Sequence, residues 1–94
     1  MVHARLVFRV PAITRMFARG ISAEEVRETL EGGETIERYP DDTPYPSRLV
    51  LGWPAGRPVH VVAADNVQQN EIIVVTVYEP DPDVWEADLR RRKQ

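Results

Sequence analysis

The spacing of apolar residues changes period along this chain, and the changes mark its elements. Residues 2–10 alternate, with Val2, Ala4, Leu6 and Phe8 on one face and His3, Arg5, Val7 and Arg9 on the other. That is the pattern of a short strand, a helical start being the alternative. Pro11 then suits the first turn of a helix, where its missing N–H costs nothing. Ile13, Met16 and Phe17 have the three/four spacing of a buried stripe, while Arg15 and Arg19 lie one turn apart on another face. Gly20 is placed to end this helix in the left-handed conformation, with Ile21 packing back on it. Ser22 opens a second helix, where Glu25 completes a capping box and Ile21 and Val26 stand as a hydrophobic staple. Val26 and Leu30 continue the stripe until Gly32-Gly33 stop it.

After the glycines the period becomes two. Residues 35–39 read as a strand, followed by a Pro/Asp-rich loop over residues 40–47. Residues 48–53 form a second strand, and Pro54-Ala55-Gly56 a turn. Residues 58–64 and 71–78 are rich in β-branched residues and flank a polar hairpin loop. The near-continuous valine and isoleucine of the last strand predict a central place, covered on both faces. Asp81 and Pro82 then predict a C-terminal helix, capped by Asp81 and anchored by Trp85 and Leu89, with its basic end favoured by the helix dipole. The expected fold is therefore α+β in one domain over residues 1–94: two N-terminal helices, an antiparallel β-meander of about four strands, and a C-terminal helix, with helices covering one sheet face.

Composition narrows the chemistry. The chain has 94 residues and no cysteine, which removes disulfides, thiol catalysis and cysteine-ligated zinc. Its two histidines are far apart and lack metal-site spacing, so neither a metal nor a cofactor is expected. No glycine-rich phosphate loop and no Gly-x-Ser-x-Gly elbow occurs. The apolar runs are too short to span a bilayer and no signal-peptide block opens the chain, so a cytoplasmic place away from membranes is expected. The net charge of −3 does not favour nucleic acid, but its distribution is uneven. Arg5, Arg9, Arg15 and Arg19 cluster near the start, and Arg90, Arg91, Arg92 and Lys93 are adjacent.

The string RMFARGISAEEV, the strand HVV and the segment TVYEPDPDVWEADLRRRK, in this order and spacing, resemble the domain-of-unknown-function 4258 family. The likeness runs from about residue 11 to the C-terminus. That family looks related to the RelE/ParE and BrnT-like toxins of bacterial toxin–antitoxin modules, often encoded beside an antitoxin of the MqsA type. The resemblance implies a RelE/BrnT-like fold, an RNA-cleaving activity, RNA as substrate (free or on the ribosome) and an antitoxin as protein partner. A free homodimer would hide the same surface. His60, Tyr78, Arg15, Arg19, Trp85, Arg92 and Lys93 fall on matching positions. Pro11-Ala12 stands where the family's first helix usually begins His-Ala, so a role for that histidine does not carry over.

Metal-free RNA cleavage needs a base for the ribose 2′-OH, cations for the phosphorane and an acid for the leaving oxygen. His60 suits the acid or base role by its near-neutral pKa. Arg15 and Arg19, with Arg48, suit phosphate clamping, and Tyr78 suits an orienting donor. Arg48, Arg92 and Lys93 are candidate RNA contacts. Val59, Val61 and Ala63 look like the core side of their strand, so His60 is expected on the opposite face, toward solvent or a cleft. Each residue also has a structural reading. His60 then bonds a neighbour and packs, while Arg15 and Arg19 form a solvated face or pair with Glu24, Glu25 or Glu28. Two functions follow: a toxin-like, metal-independent endoribonuclease, or a non-catalytic protein-binding module, a degenerate toxin or regulator on the same fold.

Overall fold

Both helices begin and end where the sequence punctuates them. A computed structural model describes residues 4–94, so Val2 and His3 lie outside the described residues. Strand β1 (Arg5–Phe8) leads into α1 (Val10–Arg19), whose first turn holds Pro11. Gly20 closes α1 with φ 63°, and the Ile21 N–H returns to the Met16 carbonyl at 2.9 Å. Only glycine takes that left-handed conformation at no steric cost. Helix α2 (Ala23–Gly32) starts on the full capping box: Ser22 Oγ accepts from the Glu25 N–H at 3.1 Å, and Glu25 Oε1 accepts from the Ser22 N–H at 2.9 Å.

Four further strands follow: β2 (Glu34–Tyr39), β3 (Ser47–Gly52), β4 (Val59–Asn66) and β5 (Glu71–Tyr78). They pair in sequence as the expected antiparallel meander. The sheet has a fifth strand, however, because β1 pairs with β5 in parallel and gives the order β1-β5-β4-β3-β2. The sheet is thus mixed. A parallel pair needs a long crossover, and here everything from α1 to β4 supplies it.

The two sheet faces carry separate cores. Ala12 and Val26 from the helices, with Ile21 between them, meet Val59, Val61, Ala63, Val74 and Val77 on one face. Helix α2 lies very close to β3. A Cβ on Gly33 would meet the Leu51 carbonyl oxygen at 2.5 Å, and one on Gly52 would meet Thr29 at 2.8 Å. On the other face Leu49 and Leu51 meet Trp85 and Leu89.

That second cluster corrects the C-terminal expectation, because residues 81–94 form no helix. They fold back as a short hairpin. The Glu86 N–H donates to the Arg91 carbonyl and the Lys93 N–H to the Val84 carbonyl, each at 2.8 Å, while Trp85 bridges Arg92 antiparallel. Leu89 sits at φ 61°, which no α-helix admits and which costs a leucine about 1–2 kcal/mol. Trp85 and Leu89 would share a face on either a helix or this hairpin, so their spacing did not separate the two. Cross-chain hydrogen bonds and burial of both side chains select the hairpin. Asp81 still caps, but as a turn, with Oδ1 accepting from the Asp83 N–H at 2.8 Å.

Helix α1 departs from expectation too. Its buried contact is Ala12, with Met16 partly buried beside it, whereas Ile13 is 40% and Phe17 86% exposed. The small Ala12 side chain lets the helix backbone approach the sheet, and that orientation turns Ile13 and Phe17 outward.

Candidate nucleic-acid interface

A bulge decides what faces His60. The β4–β5 register runs His60↔Tyr78, Val61↔Val77, Val62↔Thr76 and then shifts to Ala63↔Val74. The shift puts Val74 and Val77 together on the helix side, although strict alternation would separate them. Tyr78 is thereby delivered to the opposite face, directly across from His60.

His60 does lie opposite Val59, Val61 and Ala63, as expected, but no cleft opens there. The C-terminal hairpin covers this face and His60 is 0% exposed. The ring makes edge contacts with Trp85, centroids 4.5 Å apart at 90°, and with Tyr78 at 5.2 Å and 67°. Its Nε2 is 2.8 Å from the Leu89 carbonyl oxygen, and its Nδ1 is 3.2 Å from the Tyr78 hydroxyl. A carbonyl only accepts, so Nε2 carries the hydrogen. Burial pushes the imidazole pKa down, the Leu89 carbonyl pulls it back in part, and Arg92 adds to the depression. The ring is therefore neutral at pH 7, Nδ1 is a bare acceptor, and the Tyr78 hydroxyl donates to it. One expectation is corrected: His60 faces neither solvent nor a cleft, because its ring is buried beneath the hairpin with the Tyr78 hydroxyl against it. Burial also raises the Tyr78 pKa, with Arg92 opposing, so the phenol stays protonated.

The accessible chemistry lies beside this pair. Arg15 and Arg19 from α1, Tyr78 from β5 and Arg92 from the hairpin line one cavity of about 520 Å³ with Val84 and Trp85. That volume falls in the range of small-ligand sites. Arg92 is held in place, with Nη1 at 3.0 Å from Glu37 Oε1 and its guanidinium carbon 4.7 Å from the Trp85 ring centre. Among the described residues, neither Arg15 nor Arg19 has an ion-pair partner. The pairing with Glu24, Glu25 or Glu28 is thus not what the fold uses. Glu25 instead accepts from the Ser22 backbone and pairs with Arg57 at 3.3 Å; the Ser22 N–H, then Arg57, hold its carboxyl below the usual range.

Arg57 is the residue that sequence reading missed. Its Nη1 donates to the Arg19 carbonyl at 3.0 Å and to Glu79 Oε1 at 3.2 Å, and its Nη2 donates to the Gly20 carbonyl at 2.6 Å. It caps the C-terminal end of α1, just where Arg15 and Arg19 stand, and it neutralises Glu79, one of the two acids lining the cavity. The other, Asp81, is engaged in its turn. Nothing about an arginine after Gly56 signalled this role.

The remaining candidates lie elsewhere. Arg48 is tied to Asp65 in a two-point pair, Nε to Oδ2 at 3.0 Å and Nη2 to Oδ1 at 3.2 Å, away from the cavity. Lys93 is exposed and lines a separate depression with Glu86, Arg91 and Arg92. No group of three or more His, Asp or Glu side chains among the described residues is placed to hold a metal ion.

Fold and site together define a small α+β protein with a mixed five-stranded sheet and an arginine-lined cleft at the end of β5. The chain matches the family described as domain of unknown function DUF4258 over residues 11–79, and it belongs to that family. No curated protein and no solved structure matches it. Among the described residues, no helix is long and apolar enough to cross a membrane.

Proposed function

We propose that the protein is a toxin-like, metal-independent endoribonuclease that holds RNA phosphates in the Arg15–Arg19–Arg92 cleft, and that an antitoxin partner keeps it in check. The observation that carries this reading is the convergence of three guanidinium groups and one phenol from three distant segments, with Arg15 and Arg19 unpaired among the described residues. Unpaired guanidinium groups beside an aromatic ring match the phosphate and base of a single strand.

The fixed histidine tautomer gives Tyr78 a definite part. Its proton points to His60 Nδ1, so its oxygen is an acceptor, and the ribose 2′-OH is a donor that DNA lacks. In the proposed step the 2′-OH passes its proton to the Tyr78 oxygen as Tyr78 passes its own to His60 Nδ1. The 2′-oxygen bonds to phosphorus, the bond to the 5′-oxygen breaks, and that oxygen takes a proton from water, whose hydroxide is neutralised as His60 Nδ1 returns its proton to Tyr78 and Tyr78 gives up one of its own. Arg15, Arg19 and Arg92 balance the charge of the phosphorane. His60 acts only through Tyr78, as a positioning residue.

The burial of His60 favours a second reading, a protein-binding module on the same fold, because no imidazole reaches the cleft. Expression in bacteria separates the two. The nuclease reading expects growth arrest by wild type, relief by the double variant Arg15→Ala/Arg19→Ala, and RNA cleavage by the purified protein that Tyr78→Phe abolishes while RNA binding persists. Normal growth, with RNA left intact in the presence and absence of ribosomes, overturns it and leaves the binding module.

A further inference from the structure

A second cavity, of about 440 Å³, lies where α2 ends beside the end of β3, and it shares no residue with the arginine cleft. Exposed Trp53 and Glu28 line it, together with Arg90 and Glu34, which pair Nε to Oε1 at 2.8 Å. Its features all favour a cation. Trp53 is 56% exposed, and among the described residues the cation seated on an aromatic ring is Arg92 on Trp85, so the Trp53 ring carries none. Glu28 has no ion-pair partner among the described residues. Arg90 offsets Glu34, which leaves the lining with the one negative charge of Glu28. The C-terminal end of α2 adds the negative pole of its dipole, and no basic residue stands in its last turn to oppose it.

Gly32 keeps this cavity open. It is the last residue of α2, and glycine is among the poorest helix formers. Its φ is not positive and a Cβ there would meet nothing within 4 Å, so neither backbone conformation nor crowding calls for glycine. A larger side chain at this lining position would instead take up the space of the cavity.

We infer that this cavity binds the guanidinium group of an arginine side chain presented by a peptide segment of another protein. The planar, weakly hydrated guanidinium stacks on the Trp53 ring while its N–H groups donate to Glu28 and to the carbonyls at the end of α2. An ammonium group, compact and strongly hydrated, stacks less well. The inference does not depend on what the Arg15–Arg19–Arg92 cleft binds.

The test is an NMR titration of the whole nitrogen-labelled protein, with the two indole N–H signals assigned by Trp53→Phe. The probes are blocked Gly-Arg-Gly, blocked Gly-Lys-Gly, the same tripeptide with citrulline (a neutral isostere of arginine), and free L-arginine. The arginine tripeptide moves the Trp53 indole and the amides of Gly32 and Gly33 and leaves the Trp85 indole in place. It binds about fivefold or more tightly than the citrulline tripeptide, with the lysine tripeptide between them. Free arginine, whose carboxylate meets the acidic lining, also binds more weakly. Trp53→Leu and Gly32→Leu each weaken binding by about fivefold and Glu28→Gln by about threefold, while melting temperatures hold because all three positions are exposed. Absence of these shifts, or binding of the citrulline, lysine or free-arginine probe as tight as that of the arginine tripeptide, overturns the inference on wild type alone. So does binding indifferent to Trp53→Leu or Gly32→Leu.

Discussion

The Nε2–H of His60 reaches the carbonyl of Leu89 at 2.8 Å, joining the middle of β4 to the C-terminal hairpin. That bond fixes the histidine tautomer, and through it the direction in which the Tyr78 hydroxyl points. It also places Trp85 and, through stacking, Arg92. The residue with the most chemical promise in the sequence thus organises the site from beneath it.

Replacing His60 by alanine removes two buried hydrogen bonds and leaves a void under Trp85. The expected cost is about 3 kcal/mol, seen as a lower midpoint in chemical denaturation. The hairpin loosens with it, so amide exchange over residues 84–93 accelerates more than over α2.

Protons couple to the same bond. Burial holds the folded His60 pKa below its ordinary value of 6.5. As pH falls past about 6.5 the unfolded chain takes up a proton first, so stability drops with falling pH until the folded pKa is passed, and is full above 6.5. Denaturation midpoints measured from pH 8 to pH 5 should show this decline, and His60→Gln should flatten it.

Close approach of α2 to β3 is tested at Gly52, where a Cβ meets Thr29 at 2.8 Å. Gly52→Ala should destabilise by about 1–3 kcal/mol, as overpacking does. Gly32→Ala, with open space around the new atom, should not. Thermal melts of the two variants compare them directly.

Arg57 holds the C-terminal end of α1 through the carbonyls of Arg19 and Gly20. Arg57→Ala should cost about 1–2 kcal/mol in stability, the scale of charge-assisted hydrogen bonds. If the cleft binds RNA as proposed, Arg57→Ala should weaken that binding although Arg57 does not line the cleft, because Arg19 loses its anchorage and Glu79 its counter-charge. Arg27→Ala, removing an exposed i,i+4 pair at 3.8 Å, is the control and should change neither by much.

Much of this architecture was legible from local signals. Gly20, Ser22 and Glu25 act through neighbours one turn away, so the helix pair could be read from spacing alone. The meander followed from β-branched runs and turn residues. What stayed hidden depends on distant partners. The parallel pairing of β1 joins residues 66 positions apart, as in Arg5↔Glu71, and leaves no local mark. The bulge that turns Tyr78 toward His60 has no glycine to announce it. Trp85 and Leu89 have helical spacing, yet a left-handed Leu89 and the bond to His60 make a hairpin of them. Arg15, Arg19, Tyr78 and Arg92 were legible as residue types, whereas their shared cavity was a matter of tertiary structure.

Whether the cleft grips RNA through its guanidinium groups is read most directly from salt dependence. A short single-stranded RNA is titrated with wild type and with Arg15→Ala/Arg19→Ala across a range of salt concentrations. Each lost phosphate contact lowers the slope of log affinity against log salt by about 0.7, so the double variant should bind more weakly with a slope shallower by about 1.4. An unchanged slope and affinity would contradict the account.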